Sequence, residues 1–288
     1  MKLALGTAQL GLPYGIANQT GQVSRLEAKA MLQLALVEGV DTLDTAMAYG
    51  ESEECLGSAG TQGFKLVTKL PALPEDCEDV WAWVREKVAH SFFRLGVDSV
   101  YGLLLHRPEQ LLGSMGKELY CALHALKDNG QVEKVGVSIY SPDELADLTI
   151  SYRFDLVQAP LNLVDRRLQN TGWMRRLKDQ GVEVHTRSAF LQGLLLMSHH
   201  TIPIQFAQWN GLWHHWHQWL ADNRVSALQA CLSFPLSFPE IDRVVVGADS
   251  VDQLAQIIRA TTSQPSIDLP DLQSDNENLI NPGYWSKA

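Results

Sequence analysis

The sequence predicts a parallel α/β fold of the (β/α)8 TIM-barrel class, and three observations lead to it. Short apolar runs typical of buried strands alternate with longer segments of helical periodicity along almost the whole chain. Eight of these strand-and-helix repeats can be counted, which favours closure into a barrel over an open doubly wound sheet. The length of 288 residues suits one barrel domain, and no linker-like change of composition divides it.

The eight predicted strands are short runs that each contain Val or Leu, as expected for parallel strands buried on both faces. They cover residues 3–7, 40–44, 64–69, 100–106, 132–138, 154–159, 182–188 and 243–247. Because the first strand begins near residue 3, we expect no N-terminal β-hairpin that would plug the barrel floor.

The helices between these strands are recognised by capping residues and apolar stripes. In the first of them Ser24 is a predicted N-cap, and Glu27 is predicted to complete a capping box. Ser250 with Gln253 is predicted to open the last helix in the same way. The middle helices show apolar stripes at Val80, Val84 and Val88, and at Leu119, Ala122, Leu123 and Leu126. Residues 265–288 are expected to form a C-terminal tail over or beside the barrel.

Composition limits the function classes. The formal net charge of −10 argues against nucleic acid or an anionic membrane surface as the main partner. The four cysteines are scattered without a CxxC pair, which is typical of a reducing compartment. No apolar run approaches the roughly 18 residues of a membrane span, and the first residues lack a signal-peptide pattern. We therefore expect a cytoplasmic protein that is a monomer or a weak homo-oligomer.

Four titratable side chains fall where predicted strands run out into loops: Asp44, Tyr49, Lys69 and His106. The carboxyl ends of parallel strands meet at one face of a barrel, so these groups are expected to lie together. An ammonium group near a tyrosine lowers the phenol pKa, and a carboxylate keeps the amine charged. Tyr49 is therefore predicted to be a general acid and Lys69 its tuner, with Asp44 as the partner of Lys69.

The rest of this chemistry needs a carbonyl and a nucleophile. His106 could polarise a substrate carbonyl or help to pass the proton. Protonating a carbonyl oxygen is useful only if its carbon is attacked, and no Ser or Cys lies in a nucleophile motif. A hydride from a nicotinamide cofactor, NAD(P)H, is the natural attacking species.

The order of several motifs resembles the aldo/keto reductase family from about Leu5 to Ile258. The motifs are DTAMAYG at 44–50, SEECLG at 52–57, VTKL at 67–70, LLHRPE at 104–109, LKDNGQVEKVGVS at 126–138 and LVQAPLNLVDRR at 156–167. The resemblance implies that Asp44, Tyr49, Lys69 and His106 are a catalytic tetrad. It also implies an NAD(P)-dependent enzyme that reduces a small aldehyde, ketone or sugar.

The resemblance further implies the cofactor-binding residues. Ser138 and Gln158 would hold the nicotinamide carboxamide, while Thr7 and Asp44 would lie close to the same ring. At the adenosine end of the cofactor the implied residues are Gly247, Asp249 and Gln253.

Two departures from the family pattern bear on the cofactor. Arg187 stands where the family usually has a tyrosine on the nicotinamide, so ring contact and a carboxylate partner are both open for its guanidinium. Asp249 would repel a 2′-phosphate. We therefore expect a preference for NAD, or a weak dual preference, over strict use of NADP.

Other readings remain open at this stage. Some barrels of similar sequence serve as channel-associated subunits, so a nicotinamide-bound regulatory or scaffold protein with little turnover is the alternative function. A lyase or isomerase with a Schiff base on Lys69 is a third.

The Trp- and His-rich segment 199–219 is expected to form a packed helical stripe rather than a metal site. Tyr14, Trp209 and Trp213 are plausible walls of the substrate pocket.

Overall fold

The centre of the fold is a closed barrel of parallel strands in a computed structural model that describes residues 1–262 and 268–285. Neighbouring strands follow chain order, and the last strand pairs with the first. The strands are β1 (Leu3–Gly6), β2 (Thr42–Asp44), β3 (Lys65–Leu70), β4 (Val100–Leu105), β5 (Val132–Ser138), β6 (Leu156–Pro160), β7 (Glu183–Arg187) and β8 (Arg243–Gly247). The predicted TIM barrel is confirmed. Among the described residues no hairpin precedes β1.

Helices connect consecutive strands, and short helical turns lie in the loops. The α-helices are α1 (Ala8–Gly11), α2 (Arg25–Val37), α3 (Ser52–Ala59), α4 (Val80–Leu95), α5 (Gly116–Asp128), α6 (Glu144–Ser151), α7 (Arg167–Asn170), α8 (Trp173–Asp179), α9 (Asn210–Asn223), α10 (Ala227–Leu236), α11 (Val251–Thr262) and α12 (Glu277–Ile280). The 3-10 turns are Pro108–Leu112, Leu194–Leu196, His199–Thr201, Ile204–Trp209 and Pro282–Tyr284.

Two of the predicted helix starts have different outcomes. Ser24 caps α2, because its side chain accepts the N–H of Glu27 at 3.2 Å. The predicted capping box is wrong, however, since the Glu27 carboxylate accepts the N–H of Val251 at 2.7 Å instead. Glu27 thereby satisfies an otherwise unpaired donor in the first turn of α11. At that helix the predicted start is confirmed, with the N–H of Gln253 donated to Ser250 Oγ at 3.2 Å.

The segment 199–219 contains a buried tryptophan stripe, as predicted. Trp213 and Trp216 are each 1% exposed on α9. Their indole N–H groups donate to the carbonyl oxygens of Phe206 and Leu195, at 2.9 and 3.0 Å. Buried indoles need such partners, so these side chains anchor α9 against the turns that precede it.

The barrel interior is divided by an apolar layer formed by Val67, Leu104 and Leu156, a cluster separate from the main core. Alternate residues of a strand face the same side, so Lys65 and Lys69 flank Val67 on β3. The layer therefore separates two polar ends. We call the end at the strand C-termini the mouth and the opposite end the floor.

The floor is filled by a cluster of hydrogen-bonded polar side chains. The Tyr101 hydroxyl donates to Glu183 Oε2 at 2.6 Å, and the Lys134 amine contacts the same oxygen. The second Glu183 oxygen is 2.7 Å from Nε2 of His185, which is fully buried. Burial, and then the bond to Glu183, raises the pKa of Tyr101 to about 12. We call Tyr101, Lys134, Glu183 and His185 the floor cluster.

Candidate active site

Tyr49 lies just beyond β2, in a turn that packs closely against α1. A Cβ atom at Gly11 would lie 1.8 Å from the Tyr49 carbonyl oxygen, and one at Gly50 would lie 2.4 Å from the Gly11 oxygen. Gly50 also has a positive φ of 52°. Only glycine permits both the approach and this backbone conformation without strain. Direct backbone packing therefore fixes the turn that presents Tyr49.

Asp44 and Lys69 form a buried ion pair beside Tyr49. The Lys69 amine is 2.6 Å from Asp44 Oδ1 and donates to the Thr45 carbonyl at 2.8 Å. Lys69 is 1% exposed, and its Nζ lies 5.1 Å from the centre of the Tyr49 ring. Burial is the largest single influence and disfavours the charged amine, but the charge and hydrogen bond of Asp44 together with the charge interaction with Tyr49 outweigh it, so the pKa of Lys69 is raised. The amine is therefore charged at neutral pH.

Gln158 completes the partners of Asp44. Its amide nitrogen donates to Asp44 Oδ2 at 2.6 Å, and its amide oxygen accepts the Ser138 hydroxyl at 3.3 Å. Both Asp44 oxygens are thus satisfied, as a buried carboxylate requires.

His106 faces Tyr49 from the end of β4. The two ring centroids are 6.0 Å apart in an edge-to-face arrangement with an interplanar angle of 78°. Burial, followed by the charges of Lys69 and Arg187, lowers the pKa of His106 to about 4. The imidazole is consequently neutral at pH 7, with one nitrogen able to donate a hydrogen bond and the other able to accept one.

A cavity of about 880 Å³ opens at the mouth, where Tyr49 and His106 lie in its wall. Seven of the predicted cofactor residues line it: Thr7, Asp44, Ser138, Arg187, Gly247, Asp249 and Gln253. Lys69 and Gln158 lie behind this lining, where both donate hydrogen bonds to the carboxylate of Asp44. Of the three residues expected to wall the substrate pocket, only Tyr14 lines the cavity. Trp213, on α9, is buried and bonds to the Phe206 carbonyl, and the ring of Trp209 lies against that of Phe206.

Arg187 enters the cavity from the end of β7. Its guanidinium carbon lies 4.7 Å from the centre of the Tyr140 ring, and Nη2 donates to the Ile139 carbonyl at 3.0 Å. Among the described residues no carboxylate lies within ion-pair distance of Arg187. The sequence left open that Arg187 pairs with a carboxylate, and within the described chain this option is wrong. The guanidinium instead stacks on the ring of Tyr140.

The backbone that follows Arg187 is strained. Ser188 has a φ of +63°, which non-glycine residues rarely adopt. Its carbonyl accepts the side-chain N–H of Asn162 at 3.0 Å, and Asn162 is fully buried. Strain of this kind persists where the surroundings hold it and is common at functional sites. Asn162 thus holds the turn from which Arg187 projects.

The far end of the cavity is closed by a contact between two loops. Asn18 Nδ2 donates to Asp249 Oδ1 at 3.1 Å, and the Asp249 N–H donates to Gln253 Oε1 at 2.8 Å. Burial raises the pKa of Asp249, although hydrogen bonds with the side chains of Gln253 and Asn18 oppose the shift. A basic residue further along α11, Arg259, is exposed and does not line the cavity.

Sequence reasoning missed Tyr140, Asn162 and Asn18. Tyr140 had a signal, because it comes two residues after the strand end at Ser138. Asn162 had the same signal, since it comes two residues after the end of β6, whereas Asn18 had none because its partner is 231 residues away in the chain. The described part of the chain holds no group of three His, Cys, Asp or Glu side chains placed to bind a metal ion. None of its helices has the length and apolar character needed to cross a membrane.

Comparisons with known proteins identify the family of this chain. A sequence model of the aldo/keto reductase family matches residues 2–268. The "uncharacterized oxidoreductase YqkF" of Bacillus subtilis is 24% identical over 284 residues, covering 91% of this chain and 92% of the relative. The "aldo-keto reductase YhdN" of the same organism is 25% identical over 211 residues, covering 67% and 60%.

Solved structures share the fold. Aldo-keto reductase AKR11C1 of Bacillus halodurans in its holo form has a TM-score of 0.73 at 22% identity, covering 92% of this chain and 88% of its own. Glycerol dehydrogenase AKR11B4 of Gluconobacter oxydans has a TM-score of 0.70 at 21% identity, with the same coverage. Because the family match extends over nearly the whole chain, this protein belongs to the aldo/keto reductase family.

Proposed function

We propose that this oxidoreductase reduces the carbonyl group of a small aldehyde, ketone or sugar, with Tyr49 as the general acid. Family membership makes it a nicotinamide-dependent enzyme of carbonyl compounds. The observation on which the finer proposal rests is the charged Lys69–Asp44 pair, buried 5.1 Å behind the ring of a tyrosine that lines the cavity.

The proton transfer follows from this pair. A positive charge near a phenol stabilises the phenolate that remains after proton donation. Asp44 keeps Lys69 charged and in place, and Gln158 holds the other oxygen of Asp44. Tyr49, which lines the cavity beside this pair, is therefore placed to give its proton to a substrate carbonyl oxygen.

His106 is suited to hold the substrate carbonyl. As a neutral imidazole in the cavity wall it can donate one hydrogen bond to the oxygen that Tyr49 protonates. A histidine with an ordinary pKa would be partly charged near pH 6.5 and would compete with Tyr49 as the acid. Two donors aimed at one oxygen would orient the carbonyl and stabilise the charge that develops on it.

The cavity suits a nicotinamide dinucleotide together with a substrate. Its volume of about 880 Å³ lies near the upper end of ligand pockets. A bound nicotinamide would supply the hydride. Ser138, at the wall, would bind the carboxamide, while Gly247, Asp249 and Gln253 would meet the adenosine part. Thr7 and Asp44 would bound the ring from the β1 and β2 side.

Cofactor preference is proposed to lean toward NAD, or to be weakly dual. Asp249 lines the far end of the cavity, and Arg187 is the one Lys or Arg among the described lining residues. No basic side chain of the described α11 residues lines the cavity, so nothing there would neutralise a 2′-phosphate. A carboxylate beside a ribose diol can accept its hydrogen bonds.

A Schiff base on Lys69 is disfavoured by the same geometry. Its amine is fully enclosed, paired with Asp44 and charged, whereas imine formation needs an exposed neutral amine. Borohydride trapping in the presence of a carbonyl substrate, followed by peptide mapping, should therefore leave Lys69 unlabelled, in contrast to exposed lysines.

Transfer of a labelled hydride tests the reaction. The enzyme is incubated with NADH or NADPH that carries deuterium at both C4 positions, and with a panel of aldehydes, ketones and aldoses. We expect an alcohol product that contains one deuterium at the former carbonyl carbon. If both cofactors bind and deuterium reaches none of the carbonyls, the protein is a regulatory or scaffold subunit and the proposal is wrong.

A charge substitution tests the cofactor preference. Asp249→Arg should raise kcat/KM for NADPH relative to NADH by about five-fold or more, since removing one repulsion at a partly exposed site is worth roughly 1 kcal/mol. Asp252→Arg is the matched control, because it makes the same charge change on an exposed part of α11 outside the cavity. Strong NADPH selectivity in the unmodified enzyme would contradict the proposal.

A further inference from the structure

The cavity holds one cation that the proposed reaction does not use. Lys69 is neutralised by Asp44, and His106 is neutral at pH 7. Among the described residues that line the cavity, Arg187 remains as the basic side chain without a carboxylate partner. Asp249, the remaining acid of the lining, bonds to Asn18 at the end near α11.

Arg187 is held in place rather than free to move. Its guanidinium stacks on Tyr140 at 4.7 Å and donates to the Ile139 carbonyl at 3.0 Å and to Ser188 Oγ at 3.3 Å. A side chain fixed in this way has lost much of its rotamer entropy before a ligand arrives. The strained turn at Ser188, held by Asn162, fixes the backbone from which it projects.

The fixed guanidinium still has binding capacity. Only two of its five N–H bonds have acceptors among the described residues. A planar guanidinium with free donors matches a carboxylate or a phosphate better than any neutral group. A half-buried cation that lacks a partner in its own protein is costly, so an anionic ligand would satisfy both its charge and its donors.

We propose that Arg187 is a specificity-determining residue that binds an anionic group on the substrate, so that the preferred substrates are carbonyl compounds bearing a carboxylate or a phosphate. The inference rests on the proposed carbonyl reduction. It adds an anchor at the end of β7 to the carbonyl-binding pair Tyr49 and His106. The overall charge of −10 does not oppose it, because the anion meets a local positive site at the mouth.

Two matched substrate pairs distinguish the two anions. The first is 4-oxobutanoate and its methyl ester, and the second is glyceraldehyde 3-phosphate and glyceraldehyde. In the unmodified enzyme we expect kcat/KM for the charged member of at least one pair to exceed that of its neutral partner by about 10-fold or more. The pair that shows the difference identifies the anion.

Substitution of Arg187 tests the residue itself. Arg187→Met should lower kcat/KM for the preferred anion by about 10- to 100-fold more than it lowers kcat/KM for the neutral partner. Arg187→Lys keeps the charge without the planar guanidinium, and its kcat/KM for the anion should lie between the values of the unmodified enzyme and of Arg187→Met. Arg175→Met removes the same charge from a side chain that is 85% exposed on α8, and it should change neither substrate.

Direct cofactor binding separates this role from an interaction with the dinucleotide. NADH affinity, measured by protein fluorescence, should stay within about three-fold in Arg187→Met. Equal losses on charged and neutral substrates, or a larger loss in NADH binding, would overturn the inference and assign Arg187 to the cofactor.

The two proposals fail in different ways. If the unmodified enzyme reduces neutral aldehydes as well as their anionic partners, the role of Arg187 is wrong but carbonyl reduction stands. If it reduces no member of either pair or of the wider carbonyl panel, both proposals fall. Because the comparison in the unmodified enzyme needs no variant, poor folding of Arg187→Met would not rescue the inference.

Discussion

The mouth and the floor of the barrel hold the same three chemical groups, a phenol, an amine and a carboxylate, in different arrangements. At the mouth the Lys69 amine pairs with Asp44, and Tyr49 stands apart in the cavity wall. At the floor the Tyr101 hydroxyl donates directly to Glu183, which also contacts the Lys134 amine. The presence of a tyrosine, a lysine and a carboxylate together does not therefore indicate a general acid; their arrangement decides.

The difference lies in which group the carboxylate holds. A carboxylate that accepts the phenolic proton stabilises the neutral phenol, and together with burial this raises the pKa of Tyr101 to about 12. A carboxylate that holds only the lysine leaves the phenolic proton available for a substrate. This contrast supports the proposal that the mouth donates a proton, whereas the floor cluster is expected to contribute to stability.

The largest expected effect contrasts the two tyrosines in turnover. Tyr49→Phe removes the proton donor and should lower kcat for carbonyl reduction by roughly 10²–10⁴-fold. Tyr101→Phe should leave kcat within about three-fold, because Tyr101 bonds to Glu183 on the floor side of the apolar layer, away from the cavity. Cofactor binding measured in parallel should be retained in both. Unchanged turnover in Tyr49→Phe would remove this residue as the acid.

The second effect contrasts the two lysines in stability. Lys69→Met leaves the buried Asp44 carboxylate without its cation and should lower the free energy of unfolding by about 3–5 kcal/mol. Lys134→Met should cost less, about 1–2 kcal/mol, because Glu183 keeps Tyr101 and His185 as partners. Urea denaturation of both variants measures the difference. Equal losses would show that the two pairs are energetically alike.

The third effect is a difference in pH dependence. The pKa of His106 is 6.5 when unperturbed and about 4 in the folded protein, so the unfolded chain binds more protons between these values. Stability should fall as the pH decreases from 6.5 to 4, by on the order of 2–3 kcal/mol. His106→Gln should lack this part of the slope in urea titrations from pH 7 to 4.

The floor should respond at lower pH. Although burial opposes it, hydrogen bonds from His185, Lys134 and Tyr101 lower the pKa of Glu183 below its ordinary 4.5. The stability from Glu183 is therefore present above about 4.5 and is lost as the pH falls further. Comparison of the unmodified protein with Glu183→Gln should show no difference in slope between pH 6.5 and 5.

The smallest effect concerns Tyr101 alone. Tyr101→Phe removes one of several partners of Glu183 and should cost about 1 kcal/mol of unfolding free energy. The melting temperature and the urea midpoint both measure this loss. A cost above 3 kcal/mol would mean that the Tyr101 hydroxyl organises the whole floor cluster.

The mouth was predictable from sequence because its groups share one position in the repeat. Asp44, Lys69 and His106 each follow or end an apolar run, and strand ends of a parallel barrel converge on one face. The family resemblance, rather than this argument, led us to expect Ser138 and Arg187 at the cavity. It could not determine what their side chains would contact, such as the stacking of Arg187 on Tyr140.

The floor was not predictable in this way. Tyr101, Lys134 and Glu183 lie near the starts of their strands, where a polar residue resembles an ordinary solvated strand end. Their partners are 49 and 82 residues apart in the chain, so no local pattern joins them. Gln158 shows the same limit, because its bond to Asp44 depends on an oxygen left free by Lys69.

The apolar layer of Val67, Leu104 and Leu156 has a consequence for the supply of protons. Hydrocarbon side chains cannot pass a proton, and the floor cluster ends at His185, whose Nδ1 has no hydrogen-bond partner within the described chain. A proton given up by Tyr49 would therefore be replaced from bulk water through the mouth, the opening that substrate and product also use. Restoring the acid would then be tied to product release, and each turnover would need the cavity to open once to water.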